Sequence, residues 1–235
     1  MKELTPTGKL RVGVNLGNFL LVQRNPDGTI RGIVPDLAQE LAKRLGVEAE
    51  LRKYEKVGEV ADGAKKGEWD VAFIGAEPQR AAEIDFTAPY VEIEAMYLVP
   101  AGSPLRSIAE VDRKGVRIAV ANRSAYHLWL ERNIKNAELV TGDSIDGSYQ
   151  RFVNEKLEVL AGLKPKLLQD REKLPGSRIL EGRFTAVQQA IGTPKGRPAG
   201  AAYLRKFAED VKASGLVAEL IARHKIQGLS VAAAA

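Results

Sequence analysis

An alternation of short apolar strands with amphipathic helices, begun twice along the chain, narrows the fold most. Residues 9–14 (KLRVGV) alternate and then run apolar, which predicts a core strand. Asn25-Pro26-Asp27-Gly28 is a strong turn signal between two short strands. Pro35 opens a helix over 36–45 that Gly46 stops. Residues 48–54 read as a second strand, 57–66 as a second helix closed by Gly67, and 70–74 as a third strand. Strand, helix, strand, helix, strand is the order of a parallel, doubly wound sheet. A long extended run at 91–99 and a loop signal at 100–104 (PAGSP) then interrupt the pattern, and it restarts. Strands are predicted at 115–121, 137–140 and 157–161, with helices at 124–134, 144–156 and 163–173. Residues 184–190 read as a returning strand, followed by helices at about 198–214 and 216–224. The second series argues for two lobes.

A chain of 235 residues is long enough to bury a substantial core as one large or two small domains. Its 45% apolar and 28% charged residues are those of an ordinary globular protein, and no apolar run approaches the roughly 20 residues of a membrane span. The net charge of +5 is mild and interspersed with acids, and aromatics make up only 6%, so nucleic-acid binding has no support. With no cysteine, disulfides, thiol catalysis and Cys-ligated zinc are all excluded. His127 and His224 are far apart and read as solvated helix residues, so neither a metal nor another cofactor is expected. Residues 1–6 lead almost at once into a strand, the expectation for a mature form without a signal peptide, and 232–235 read as a linker or frayed end. Gly-x-Ser-x-Gly, Walker A and Gly-x-Gly-x-x-Gly are absent, and no pair of carboxylates is marked for acid–base work, so catalysis is unsupported.

Binding has a better claim. Residues 69–90 (WDVAFIGAEPQRAAEIDFTAPY) read as a buried strand, a turn at Gly75-Ala76-Glu77-Pro78 and a short helix carrying Arg80. A guanidinium delivered into such a turn offers a planar fork of donors matching a carboxylate. Spacing alone is equally satisfied by a surface Arg at a helix start. The stretch resembles the signature of the family 3 extracellular solute-binding proteins, type II periplasmic binding proteins of polar amino-acid importers. The resemblance rests on Glu77-Pro78-Gln79-Arg80 and on Asp85-Phe86-Thr87-Ala88-Pro89-Tyr90.

That resemblance implies a two-lobed α/β fold of the periplasmic-binding-protein-like II type. Each lobe is a doubly wound, mostly parallel sheet flanked by helices, with two crossing strands as hinge. Lobe 1 takes residues 1–97 with 188–235, and lobe 2 takes 98–187. It implies a periplasmic, monomeric binding protein, not membrane-spanning, that closes on a carboxylate-bearing, amino-acid-like solute and presents it to an ABC permease. Arg80 is the expected anchor, aided by backbone groups of Gly75 and Ala76. In lobe 2 the family places a Gly-Thr/Ser turn where this chain has Arg123-Ser124. Ser124 matches the hydroxyl, and Ala125 and Tyr126 open a helix whose free N–H groups suit an anion. Read without the family, Ser124 is a plain N-cap. Phe19, after Asn18, falls where a ring covers the ligand, or else it closes the lobe as a loop hydrophobe. Of Tyr126 and Trp129, three apart on one helix, at least one is expected to pack.

Two departures concern the ligand's amino end. Leu163 stands where the family has an Asp for the ammonium, and Val34 replaces the first acid of another motif. Glu77, in place of Thr/Ser, either takes over the ammonium or pairs with Arg80. Cyclohexadienyl dehydratase shares the fold, so a prephenate-type dehydratase is the enzymatic alternative, with Glu77 the carboxylate to test. A receptor or sensor ligand-binding domain is the other.

Overall fold

A computed structural model describes residues 2–235; Met1 lies outside the described residues. The chain divides into two compact units, residues 1–92 with 188–235, and residues 93–187. The first passage falls at 92–93, inside a strand, where the sequence pattern places it at 97–98.

The first unit opens with β1 (Leu10–Asn15), then the hairpin β2 (Gln23–Arg24) and β3 (Ile30–Arg31) around the Asn25–Gly28 turn. Helix α1 (Ile33–Leu45) begins two residues before Pro35, and Gly46 ends it in the left-handed conformation at φ 71°. Gly32 precedes it at φ 133°, and a Cβ there would stand 2.4 Å from the Leu21 carbonyl oxygen, so no other residue fits. Strand β4 (Ala49–Tyr54), helix α2 (Val57–Lys66), strand β5 (Val71–Gly75) and the short β6 (Ile84–Phe86) complete this run. β1 lies between β4 and β5, parallel to both, with Val12 opposite Leu51 and Val71. β5 is apolar and buried throughout, as a central strand covered on both faces requires. Trp69, Ala72, Ile74 and Ile84 pack with Val60 and Ala64 of α2.

Strand β7 (Val91–Val99) carries the chain into the second unit. There β8 (Arg117–Ala121), α3 (Ala125–Asn133), β9 (Glu138–Gly142), α4 (Ile145–Asn154), β10 (Val159–Leu163), α5 (Lys164–Glu172) and β11 (Arg178–Ile179) follow in order. The sheet order is β7-β10-β8-β9, with β8 parallel to β9 and β10, and β10 antiparallel to β7. Met96, Leu98, Ala119, Phe152, Leu160 and Leu167 form its core.

Strand β12 (Thr185–Pro194) returns the chain and runs antiparallel to β5, with Gln189 opposite Gly75. Helices α6 (Pro198–Ala213) and α7 (Leu216–Arg223) and strand β13 (Leu229–Val231) end it. The tail is not frayed: Ala232 is buried, and its N–H donates to the Tyr90 carbonyl at 3.2 Å. His224 is not solvated either, since its Nε2 lies 2.8 Å from Asp36 Oδ2 and ties α7 to α1. No helix among the described residues is long and apolar enough to cross a membrane.

Candidate functional site

Parallel strands collect their outgoing loops along one edge of a sheet, and ligands gather at that edge. In the first unit β1 and β5 are neighbours in register, so the loops after Asn15 and Gly75 leave together. The first loop is a chain of local bonds. Gly17 N–H donates to Asn15 Oδ1 at 3.0 Å, and Leu20 N–H to Asn18 Oδ1 at 3.3 Å. The Asn18 carbonyl takes the N–H groups of Leu21 and Val22. Asn18 is thus buried as a turn-former, while Phe19 beside it is half-buried.

The second loop turns sharply into one turn of 3₁₀ helix at Arg80–Ala82. The Ala81 N–H donates to the Glu77 carbonyl at 2.9 Å, bringing Arg80 back over the strand end. Arg80 is 6% exposed, and its Nη1 donates to the Gly75 carbonyl at 2.7 Å. This bond ties the guanidinium to the end of the strand that precedes it. Ala76 is engaged through its backbone, its N–H donating to the Gln188 carbonyl at 2.8 Å. Glu77 is half-buried, and Pro78 and Gln79 are exposed.

The amino edge of the same sheet holds a different arginine arrangement. Asp70, wholly buried at the foot of β5, receives Arg11 through Nε at 2.9 Å and Nη2 at 2.8 Å. Arg197 Nη1 reaches the same carboxylate at 2.9 Å. Both cations are satisfied by a protein carboxylate, so this network holds structure and offers no fork to a ligand. Sequence reasoning missed it, although an Asp between Trp69 and an apolar strand was the available signal.

In the second unit β8 and β10 are parallel neighbours, so Asn122–Tyr126 and Leu163–Lys164 leave one edge. Ser124 caps α3, its Oγ accepting the His127 N–H at 3.1 Å. Its own N–H is taken by the Ala121 carbonyl, and Ala125 and Tyr126, as first-turn residues, have N–H groups with no acceptor inside the helical ladder. The Tyr126 ring is buried, and its hydroxyl lacks a hydrogen-bond partner among the described residues. Burial pushes the phenol well above its ordinary value, with Ser124 opposing the shift. Trp129 is half-buried against Phe184, ring centroids 5.5 Å apart. Leu163 is buried at the end of β10, and Lys164 next to it pairs with Glu94 at 2.6 Å.

His127 corrects a second expectation. It is 5% exposed, not solvated, and its Nδ1 accepts the Arg123 N–H at 3.0 Å. Burial lowers its pKa below the ordinary 6.5, with Glu131 pulling the other way. Arg123 takes φ 57°, a left-handed conformation rare in a residue with a side chain. Among the described residues no group of three or more His, Asp or Glu is placed to hold a metal ion.

The model of the bacterial extracellular solute-binding proteins, family 3, matches residues 10–226. The chain belongs to that family. Among relatives of this family 3 protein is the L-cystine-binding protein TcyJ of Escherichia coli (strain K12), 30% identical over 151 residues. The match takes in 64% of this chain, and the chain spans only 57% of the relative's length. Among solved structures, a putative ABC-transporter binding component from Wolinella succinogenes DSM 1740, complexed with lysine, is 23% identical with a TM-score of 0.78. That alignment covers 92% of this chain and 95% of the other. The ancestral amino acid-binding protein AncCDT-1, a precursor of cyclohexadienyl dehydratase, is 20% identical with a TM-score of 0.77. It covers 94% of this chain and 97% of the other. At such identities the two structures establish for this family 3 chain its type II periplasmic-binding-protein fold, each unit an α/β layer structure.

Proposed function

We propose that this chain captures a small carboxylate-bearing, amino-acid-like solute outside the cytoplasmic membrane and, as a monomer, hands it to an ABC permease without transforming it. The observation that carries the reading is the family match across residues 10–226. The named ligands of its relatives, cystine and lysine, are both amino acids. Arg80 is the anchor in the first unit. Its guanidinium is tied to the Gly75 carbonyl, and the planar fork of an arginine suits a bidentate carboxylate contact. Ser124, Ala125 and Tyr126 supply hydroxyl and backbone donors from the second unit, and a helix start suits an anion there. Phe19 and Asn18 belong to the first unit's binding edge, as do Glu77 and the Gly75–Ala76 backbone. The two strands that pass between the units, β7 and β12, are the proposed hinge.

The amino end of the ligand is less marked, because Leu163 brings no charge and two acids, Glu77 and Glu83, stand equally near Arg80 in sequence. A thermal-shift screen over amino acids and small carboxylates tests the reading, since a ligand bound only by the folded state raises its melting temperature. A hit whose calorimetric affinity is unchanged in Arg80→Ala would remove Arg80 from the site. A prephenate assay that yields phenylpyruvate would replace the binder with an enzyme.

A further inference from the structure

The loop that starts α3 is held in a conformation its own sequence disfavours. Arg123 sits at φ 57°, where a residue with a Cβ is strained and glycine is not. One side chain compensates. The Arg123 N–H donates to His127 Nδ1 at 3.0 Å, and the His127 N–H donates to Ser124 Oγ at 3.1 Å. Residues 123–127 thus close a reciprocal pair of bonds over the first turn, with the N3 side chain reaching back to the residue before the cap. A common capping box puts Glu or Gln at N3. Here the acceptor is an imidazole nitrogen, which accepts only in the neutral tautomer protonated on Nε2.

We propose that His127 is a positioning residue for the anion-binding loop: its neutral ring holds Arg123 left-handed, so that the N–H groups of Ala125 and Tyr126 present together. The inference rests on the solute-binding reading for what those donors grip, but the holding itself exists in the ligand-free chain. Protonating the ring converts Nδ1 from acceptor to donor, and two donors then face each other across 3.0 Å. Glu131, on the same helix, lies 3.7 Å from Nε2 and acts electrostatically on the ring. From α5, Asp170 acts on Tyr126 and is itself paired with Lys166.

Three variants separate positioning from simple packing. His127→Asn keeps an acceptor near the Nδ1 position and does not titrate; His127→Leu removes the acceptor; Arg123→Gly removes the need for one. In ¹⁵N NMR spectra of the ligand-free protein, the Arg123 amide resonance is expected to follow the His127 ring titration, and to be flat with pH in His127→Asn. At pH 8, where the ring is neutral, sulfate is the probe, read from the Ala125 and Tyr126 amide shifts. His127→Leu is expected to weaken sulfate roughly five- to tenfold, the loss of one hydrogen bond's worth of preorganisation. His127→Asn and the double variant His127→Leu/Arg123→Gly are expected to restore it. An Arg123 amide that ignores the His127 titration overturns the proposal, as does wild-type sulfate affinity in His127→Leu. If the unaltered protein binds no sulfate while the amide still tracks the ring, the positioning stands and the assignment of these donors to an anion fails.

Discussion

In the proposed site the two units would meet a carboxylate in different ways. In the first, a charged side chain does it: Arg80 is buried, keeps its guanidinium on Gly75, and brings a full positive charge. In the second, the proposed donors are main-chain N–H groups at the start of α3, and the side chains of Ser124 and His127 bond to the backbone around them. A charge can be lost in one substitution. A backbone conformation can only be loosened. The difference therefore predicts unequal responses to mutation.

The largest expected effect lies away from both edges. Asp70→Ala strands Arg11 and Arg197 around a vacated buried carboxylate, and should cost about 3–5 kcal/mol in urea unfolding. A loss under ~1 kcal/mol would show that solvent reaches both cations easily. Next comes Arg80→Ala, expected to weaken any carboxylate ligand found by screening at least about 100-fold, from charge-assisted bonds worth roughly 1.5–3 kcal/mol each. If Ser124→Ala costs as much in the same titration, the contrast between the units collapses. Arg123→Gly releases about 1 kcal/mol of left-handed strain and loses the arginine side chain's own contacts, so its net gain in urea unfolding should fall below that figure. Tyr126→Phe should leave stability within about 0.5 kcal/mol, since the buried hydroxyl makes no hydrogen bond. A drop in ligand affinity with unchanged stability would then mark that hydroxyl as a ligand contact.

The smallest effect is with pH. Burial keeps the folded pKa of His127 below its ordinary 6.5, so the folded state favours the neutral ring more than the unfolded chain does. That contribution is complete above pH 6.5, shrinks as pH falls through it, and is gone below the folded pKa. Chemical denaturation between pH 8 and 5 should show this slope, and His127→Asn should flatten it.

The same contrast explains what could be read from the sequence. Both βαβ series were legible because their central strands are short, buried apolar runs and α1, α2 and α4 each carry one apolar stripe. The helix 57–66 and the strand 91–99 fall on the residues the pattern marked. β6, β11 and β13 were not legible: at two or three residues they have no period to detect. Arg80 stood out through the resemblance of residues 77–80 and 85–90 to a family signature, since spacing alone fitted a surface Arg equally well. His127 did not, because its helix has no clean apolar face to say which side is inside, and its task is to accept one backbone N–H. Arg123 could not be assigned a left-handed conformation from its identity, since that state is imposed by neighbours and not preferred by arginine.

The division at 92–93 and 187–188 also sets an order of assembly. The second unit is one unbroken run of chain, and the bonds that shape its donor loop span only three or four residues. The turn that carries Arg80 is different. Its Ala76 N–H waits for the Gln188 carbonyl, and Asp70 waits for Arg197, 127 residues downstream. During synthesis, which proceeds at about 5–20 residues per second, the second unit can complete its contacts while the first still lacks a central strand. The proposed backbone donors are thus shaped by local bonds, while the strand end behind Arg80 is completed only once residue 188 has emerged.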